Sequence, residues 1–196
     1  MNELLELLNG GADAGALRDH LDGLSPAERS EGVRALPPRA LALLYERAAG
    51  QPAGLEHFVP PERSPGEPVR HFGVNSLPLF RRFEKRFMRA EDGSTQVWGY
   101  NHQSLRPLTG PGYFVIDPPQ DGEEAAIDYL RVPPRQPGAG WPPLAENRCH
   151  PGGLAGGLVY GGMVDRMRRV SEHVSVGRAH KNDRPMKAWF ALVREC

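Results

Sequence analysis

Three short apolar runs between Thr95 and Val132, separated by loops too short to hold a crossover helix, force neighbouring strands to pair antiparallel. The first, Thr95-Gln-Val-Trp-Gly-Tyr-Asn101, alternates, so Trp98 and Tyr100 share one face and Val97 takes the other. The second, Gly112-Tyr-Phe-Val-Ile-Asp117, follows Thr109-Gly-Pro-Gly112, a turn whose glycines tolerate positive φ. Its aromatic and β-branched content suits a half-buried pleat. The third, Glu124 to Val132, comes after Pro118-Pro-Gln-Asp-Gly122 and stops at Pro133-Pro134. There Asp128 shares a face with Leu130 and Val132, and Ile127 shares the other with Tyr129.

Residues 1–50 read as a helical segment. Leu4, Leu5 and Leu8 make one apolar edge, and Leu17, Leu21 and Leu24 make another. Ser25-Pro-Ala-Glu28 is a capping box with proline at the first helical position, and Pro37-Pro38 stops the helix it starts. Leu41, Leu44, Tyr45 and Ala48 form the next stripe, closed by Gly50. Helices this short must bury their stripes on one another or on the sheet. Residues 51–75 form a linker rich in proline and charge, docked through Leu55, Phe58 and Val59.

The main domain, 76–196, opens with Ser76 as the N-cap of a helix expected to reach about Lys85, then a strand through Arg89 and a hairpin turn at Glu91-Asp-Gly-Ser94. Phe83, Lys85 and Phe87 also alternate, which permits a strand over the same residues. A long irregular loop covers 133–157 and carries Trp141, as a plug on the core or as a lid. From Leu158, the residues Val159, Met163, Met167, Val170 and Val174 recur at helical spacing and predict one long helix. His173 to Ala179 reads as a strand, and Met186 to Val193 as a strand apolar on both faces, hence central or covered on both sides. The resulting expectation is an α+β fold: an antiparallel curved sheet or partial barrel of about six strands, one long packed helix, and the N-terminal helical segment.

At 196 residues and 39% hydrophobic, the chain suits one medium domain with a small appendage. Zero formal net charge removes any global electrostatic case for nucleic acid or anionic membrane. Two cysteines, Cys149 and Cys196, form no spaced metal motif and point to a reducing compartment. The acidic start, Met1-Asn-Glu-Leu-Leu-Glu, is unlike a signal peptide, and no apolar run reaches membrane-spanning length, so a cytoplasmic location is expected.

The segments Trp98-Gly-Tyr-Asn101, Thr109-Gly-Pro-Gly-Tyr-Phe114, Val132-Pro-Pro134, Gly140-Trp-Pro142 and His173-Val-Ser-Val-Gly-Arg-Ala179 resemble a family of uncharacterised bacterial proteins. The similarity spans about Phe72 to the C-terminus. It implies a bacterial cytoplasmic origin and carries no activity or catalytic residue.

No nucleophile elbow, H-E-x-x-H or Cys-x-x-Cys motif occurs, and Gly153, Gly157 and Gly161 fit neither a Walker loop nor a dinucleotide fingerprint. Cys149 and His150 are adjacent without further ligands, so neither a metal nor a cofactor is assigned. Arg81, Arg82, Lys85, Arg86 and Arg89 crowd against Glu84, either as an anion site or as a solvated basic face. The main candidate site is a polar set at strand ends: Tyr100, Asn101 and His102, then Asp128 and Tyr129, then His173 and Arg178. An inward Asp128 needs a cation, and Arg178 is its natural partner; the two then satisfy each other structurally or form a pocket floor, while an outward Asp128 needs neither.

The expected function is the binding of a small, anionic ligand by Trp98, Tyr100, Asn101, Tyr113, Asp128 and Arg178. One alternative is an enzyme using His102 or His173 with Asp128 as the acid–base pair. The other is a protein-interaction module working through the N-terminal helices. Ligand identity and oligomeric state are not encoded in any motif.

Overall fold

The computed structural model describes residues 2–78, 81–102, 110–147 and 161–195. Four helices lead the chain: α1 (Glu3–Asn9), α2 (Ala14–Gly23), α3 (Pro26–Arg34) and α4 (Pro38–Arg47), followed by a single turn, α5 (Leu55–Phe58). Eight strands follow: β1 (Val69–Asn75), β2 (Arg82–Arg89), β3 (Val97–His102), β4 (Phe114–Ile116), β5 (Ala125–Asp128), β6 (Met163–Arg169), β7 (Val174–Lys181) and β8 (Arg184–Arg194). Each pairs antiparallel with the next, and β8 returns to β1 from His71↔Arg194 to Asn75↔Phe190. The sheet is therefore a closed up-and-down barrel without a free edge.

The expected partial barrel of about six strands with a long packed helix is overturned on both counts. Residues 163–169 of the expected helix are β6, paired with β5 and β7; the part over 158–160 lies outside the described residues. Met163 and Met167 are four apart, a spacing that keeps two side chains on one face of a helix and of a strand alike. Closing the sheet decides between the two periods, because β6 supplies the ladder between β5 and β7. The helix expected from Ser76 to Lys85 also gives way. Ser76 extends β1 alongside β8, its Oγ accepting the Trp189 N–H at 2.9 Å, and β2 begins at Arg82. Leu79 and Phe80 lie outside the described residues. The third run stops at Asp128 because its carboxylate accepts the Leu130 N–H at 2.8 Å and turns the chain.

Alternation sorts side chains into the barrel or onto its outer wall. Inside are Val69, Phe87, Val97, Phe114, Ile116, Ile127, Met167, Phe190 and Leu192, closed at one end by Phe58 of α5, whose ring stacks on Phe87 at 5.3 Å. Three inward glycines sit directly across from phenylalanines: Gly73↔Phe83, Gly99↔Phe114 and Gly177↔Phe190. Each ring lies over the bare backbone of its partner, which is how a narrow barrel accommodates large aromatics.

Two faces of the outer wall are apolar and both are covered. Val74, Val174, Val176, Ala191 and Val193 pack against the leucine stripes of α1–α4. Caps hold those helices in place: Asn2 accepts from Leu5 N–H, Asp13 from Ala16 N–H, and Ser25 forms a capping box with Glu28. The Arg168 guanidinium lies 3.8 Å from the Tyr45 ring centre and donates to Glu124, which also accepts the Tyr45 hydroxyl, so α4 is tied to β5 and β6. The other face carries Met88, Trp98, Tyr100, Tyr113 and Val115, and the segment around Trp141 covers it.

Because the helical stripes form one core with β1, β7 and β8, residues 1–50 are part of the fold. A chain of residues 51–196 is expected to lose cooperative thermal unfolding and to aggregate, since it exposes that valine face. A soluble truncated chain that melts at the temperature of the intact one would show the helices to be an appendage.

Candidate functional site

The strand runs Phe83-Glu-Lys-Arg-Phe87 and Met163-Val-Asp-Arg-Met167 each carry an ionisable residue in the middle of an inward-facing apolar triplet. Alternation sends both Lys85 and Asp165 into the barrel, where they are 3% exposed each. Lys85 Nζ donates to Asn101 Oδ1 at 2.7 Å and to the Tyr129 hydroxyl, and lies 3.9 Å from Asp165 Oδ2. The Tyr129 hydroxyl donates to Asp165 Oδ2 at 3.2 Å. Asn101 Nδ2 donates to the Gly112 carbonyl at 3.2 Å, which turns its oxygen toward the lysine. Four aromatic faces, Phe83, Phe114, Tyr129 and Phe190, stand 5.0–5.5 Å from the ammonium.

The energetics of this cluster are those of a charge pair deprived of water. Burial pulls the Lys85 ammonium down to about 8, with Asp165 opposing the shift. The same burial pushes the Asp165 carboxyl up, against the pull of Lys85 and the Tyr129 hydroxyl. Ring faces and hydrogen bonds offset part of the desolvation cost but do not abolish it. Burial thus narrows the gap between the amine and the carboxyl, with the Tyr129 hydroxyl hydrogen-bonded between them.

Its position in the barrel matters as much as its chemistry. Lys85, Asn101, Tyr129 and Asp165 lie toward the end where β1, β3 and β5 finish and β2, β4 and β6 begin, opposite the end closed by α5. Phe83 and Met163, inward-facing at that same end, are only half-buried. The cluster is thus a polar layer below that rim, with the half-buried Lys181 across from Met163 above it.

The residues expected at the site are distributed differently. Asn101 belongs to the cluster, and Tyr129, named in the polar set, joins it. Trp98, Tyr100 and Tyr113 face outward instead, and the hollow expected between them is filled by Trp141, whose ring lies 4.9 Å from Tyr100 and 6.4 Å from Tyr113. The Tyr113 hydroxyl donates to the Pro142 carbonyl at 2.6 Å, pinning the covering segment. Asp128 faces outward and binds Arg131 Nε at 2.8 Å, while Arg178 lies over Trp189 and donates to the Met186 carbonyl. The proposed Asp128–Arg178 pair is therefore replaced by two local ones. His102 is exposed at the end of β3, with its ring 6.1 Å from Tyr100. His173 sits in the turn between β6 and β7, at the far end of the barrel, beside Glu172 and Arg194. Neither imidazole shares a site with Asp128.

The basic crowd is also divided by alternation. Arg86 pairs with Glu84 on the outside, Arg81 donates to the Leu36 and Asn75 carbonyls, Arg89 donates to Pro61, and Lys85 alone turns inward. A lysine flanked by phenylalanines at i±2 is the signal that could have singled it out in the sequence, and Asp165 between two methionines is its counterpart. Their pairing across the barrel required the register.

Among the described residues, no His, Cys, Asp and Glu group of three or more is placed to hold a metal ion; Cys149, His150 and Cys196 lie outside them. Among the same residues no helix is long and apolar enough to cross a membrane. No protein-family model, no curated protein and no solved structure matches this chain.

Proposed function

We propose that the protein is a small-molecule-binding barrel whose interior lysine receives the anionic head of its ligand. The observation that carries this reading is a buried ammonium, Lys85, held just below one rim of a closed barrel and incompletely compensated by a carboxylate 3.9 Å away. A purely structural cation would be better served by a bidentate carboxylate or by apolar replacement, since a buried pair is a weak source of stability. A ligand carboxylate at Nζ would give the ammonium the close charged partner that Asp165, 3.9 Å away, does not, and Phe83, Phe190 and Met163 would line its apolar body.

Straight-chain carboxylates from butyrate to octanoate, assayed by thermal shift, test this reading. At a hundredfold excess over its Kd a fitting ligand is expected to raise the melting temperature by about 5–10 °C. Lys85→Met, which keeps the side-chain volume and leaves Asp165 free to protonate, is expected to remain folded and to lose that rise. A series without any shift, or a shift unchanged in Lys85→Met, overturns the reading.

A further inference from the structure

We propose that Lys85 also acts as a nucleophile, condensing with an aldehyde or ketone of short apolar chain to form an imine inside the barrel. The inference rests on the preceding one in a single respect: small molecules must reach the rim beside Phe83 and Met163.

The choice of residue is the first argument. Only three of the 24 Lys and Arg residues are lysine, namely Lys85, Lys181 and Lys187. A site built only to grip an anion is better served by arginine, whose planar fork binds carboxylate through two hydrogen bonds and never loses its charge. Arginine cannot condense with a carbonyl, whereas a desolvated lysine can. This chain, otherwise arginine-dominated, places a fully buried lysine, Lys85, in the barrel interior, with the half-buried Lys181 across from Met163 nearer the rim.

The surroundings are the second argument. Imine formation needs a neutral amine, a proton for the departing oxygen and exclusion of bulk water. Burial away from water disfavours the ammonium, and the four aromatic faces around Nζ offset that only in part. The Tyr129 hydroxyl bridges Nζ and Asp165 Oδ2, which makes it the route by which protons pass between amine and carboxylate. Asn101 Oδ1, accepting one N–H at 2.7 Å, orients the nitrogen.

The step balances with these groups alone. The ammonium passes one proton to the Asp165 carboxylate through the Tyr129 hydroxyl. The freed nitrogen lone pair attacks the carbonyl carbon, a C–N bond forms, and the π pair moves to oxygen. That oxygen takes a proton from the attacking nitrogen, again through Tyr129, which gives a neutral carbinolamine. Asp165 then protonates the hydroxyl, the nitrogen lone pair expels water, and an iminium remains. One ammonium and one carbonyl are consumed; one iminium and one water are produced.

The intact protein, incubated with hexanal and cyanoborohydride and read by intact mass and peptide mapping, tests the step. The expected result is one hexyl adduct on Lys85, formed faster than adducts on the exposed Lys187 or the half-buried Lys181. Asp165→Asn, checked by circular dichroism for folding, is expected to slow labelling of Lys85 at least tenfold. Lys85→Arg is expected to keep any hexanoate-induced thermal shift and lose the adduct. Labelling confined to Lys181, Lys187 and the N-terminus, with a hexanoate shift that still depends on residue 85, overturns the imine and leaves anion binding standing. Absence of both the adduct and the hexanoate shift overturns both. An adduct on Lys85 whose rate is unchanged in Asp165→Asn overturns the assigned proton path.

Discussion

Gly99→Val is expected to destabilise the barrel by at least about 3 kcal/mol, the upper range for overpacking a tight interior. A Cβ at this position would strike the Phe114 ring and would lie 2.6 Å from the Arg86 carbonyl oxygen. The ring can swing only into an interior already filled by Phe87 and Tyr129, whose rings lie 5.2 and 5.4 Å from it. The carbonyl belongs to the β2–β3 ladder, so moving it breaks pairing in the wall itself. Gly99→Ala with Phe114→Leu should recover part of the loss, because it relieves the ring contact and leaves the backbone one. Gly32→Ala, in α3 with nothing within 4 Å of the new methyl, should instead stabilise by roughly 0.5–1 kcal/mol. Urea unfolding of the four chains decides the matter. A Gly99→Val protein as stable as the parent would mean that the cross-strand glycine–phenylalanine pairs do not set the packing.

Acid should open the opposite end of the barrel well before the carboxylates titrate. His71 is buried between Phe58 and Phe87, its Nε2 2.9 Å from the Phe58 carbonyl and its Nδ1 without a partner. Burial pulls it down to about 3, against the raising effect of the Phe58 bond. His57, on α5 itself, has neither ring nitrogen bonded to protein, and burial together with His71 and Arg194 holds it well below its ordinary value. Both histidines therefore stay neutral in the fold while the unfolded chain takes up protons below its ordinary value near 6.5. Below that pH, down to about 3 for His71, the unfolded state binds more protons, so stability falls as pH falls, by up to about 1.4 kcal/mol per pH unit for each histidine that stays neutral. Melting temperatures from pH 7.5 to 5 are expected to decline, and the double variant His57→Phe, His71→Phe to flatten the decline over that range. An equal slope in the variant would place the acid sensitivity elsewhere.

The strand periodicities were legible to different depths. β8 announced its two apolar faces, and the barrel uses both: Phe190 and Leu192 inward, Ala191 and Val193 under the helices. In β3 the pattern correctly put Trp98 and Tyr100 on one face and Val97 on the other, yet the bulky face invites assignment to the interior. A closed barrel of eight strands has little room, and it selects the smaller set, Val97, Gly99 and Asn101, to sit across from Phe114. The aromatic face then needed a cover, which the Trp141 segment provides. Alternation alone states which residues share a side and leaves open which side is inside.

Helix caps, turn positions and the two-residue period of most strands follow from local chemistry: amide, carboxylate and hydroxyl acceptors at Asn2, Asp13 and Ser25, glycine where φ is positive, proline where a helix begins. A strand reading of 83–87 and 163–167 would have shown Lys85 and Asp165 as charges among apolar neighbours, but the basic crowd around Lys85 and the helical spacing of Met163 and Met167 hid them. Local chemistry could not bring them together, because their encounter depends on how eight strands close, and strand closure is a property of ladder hydrogen bonds between residues distant in the chain. The same closure turned the expected long helix into β6, carried Asp128 outward to Arg131, and left one ammonium facing four rings beneath the rim. Burial and proximity arise only when distant segments share one interior, and they give this lysine its chemistry.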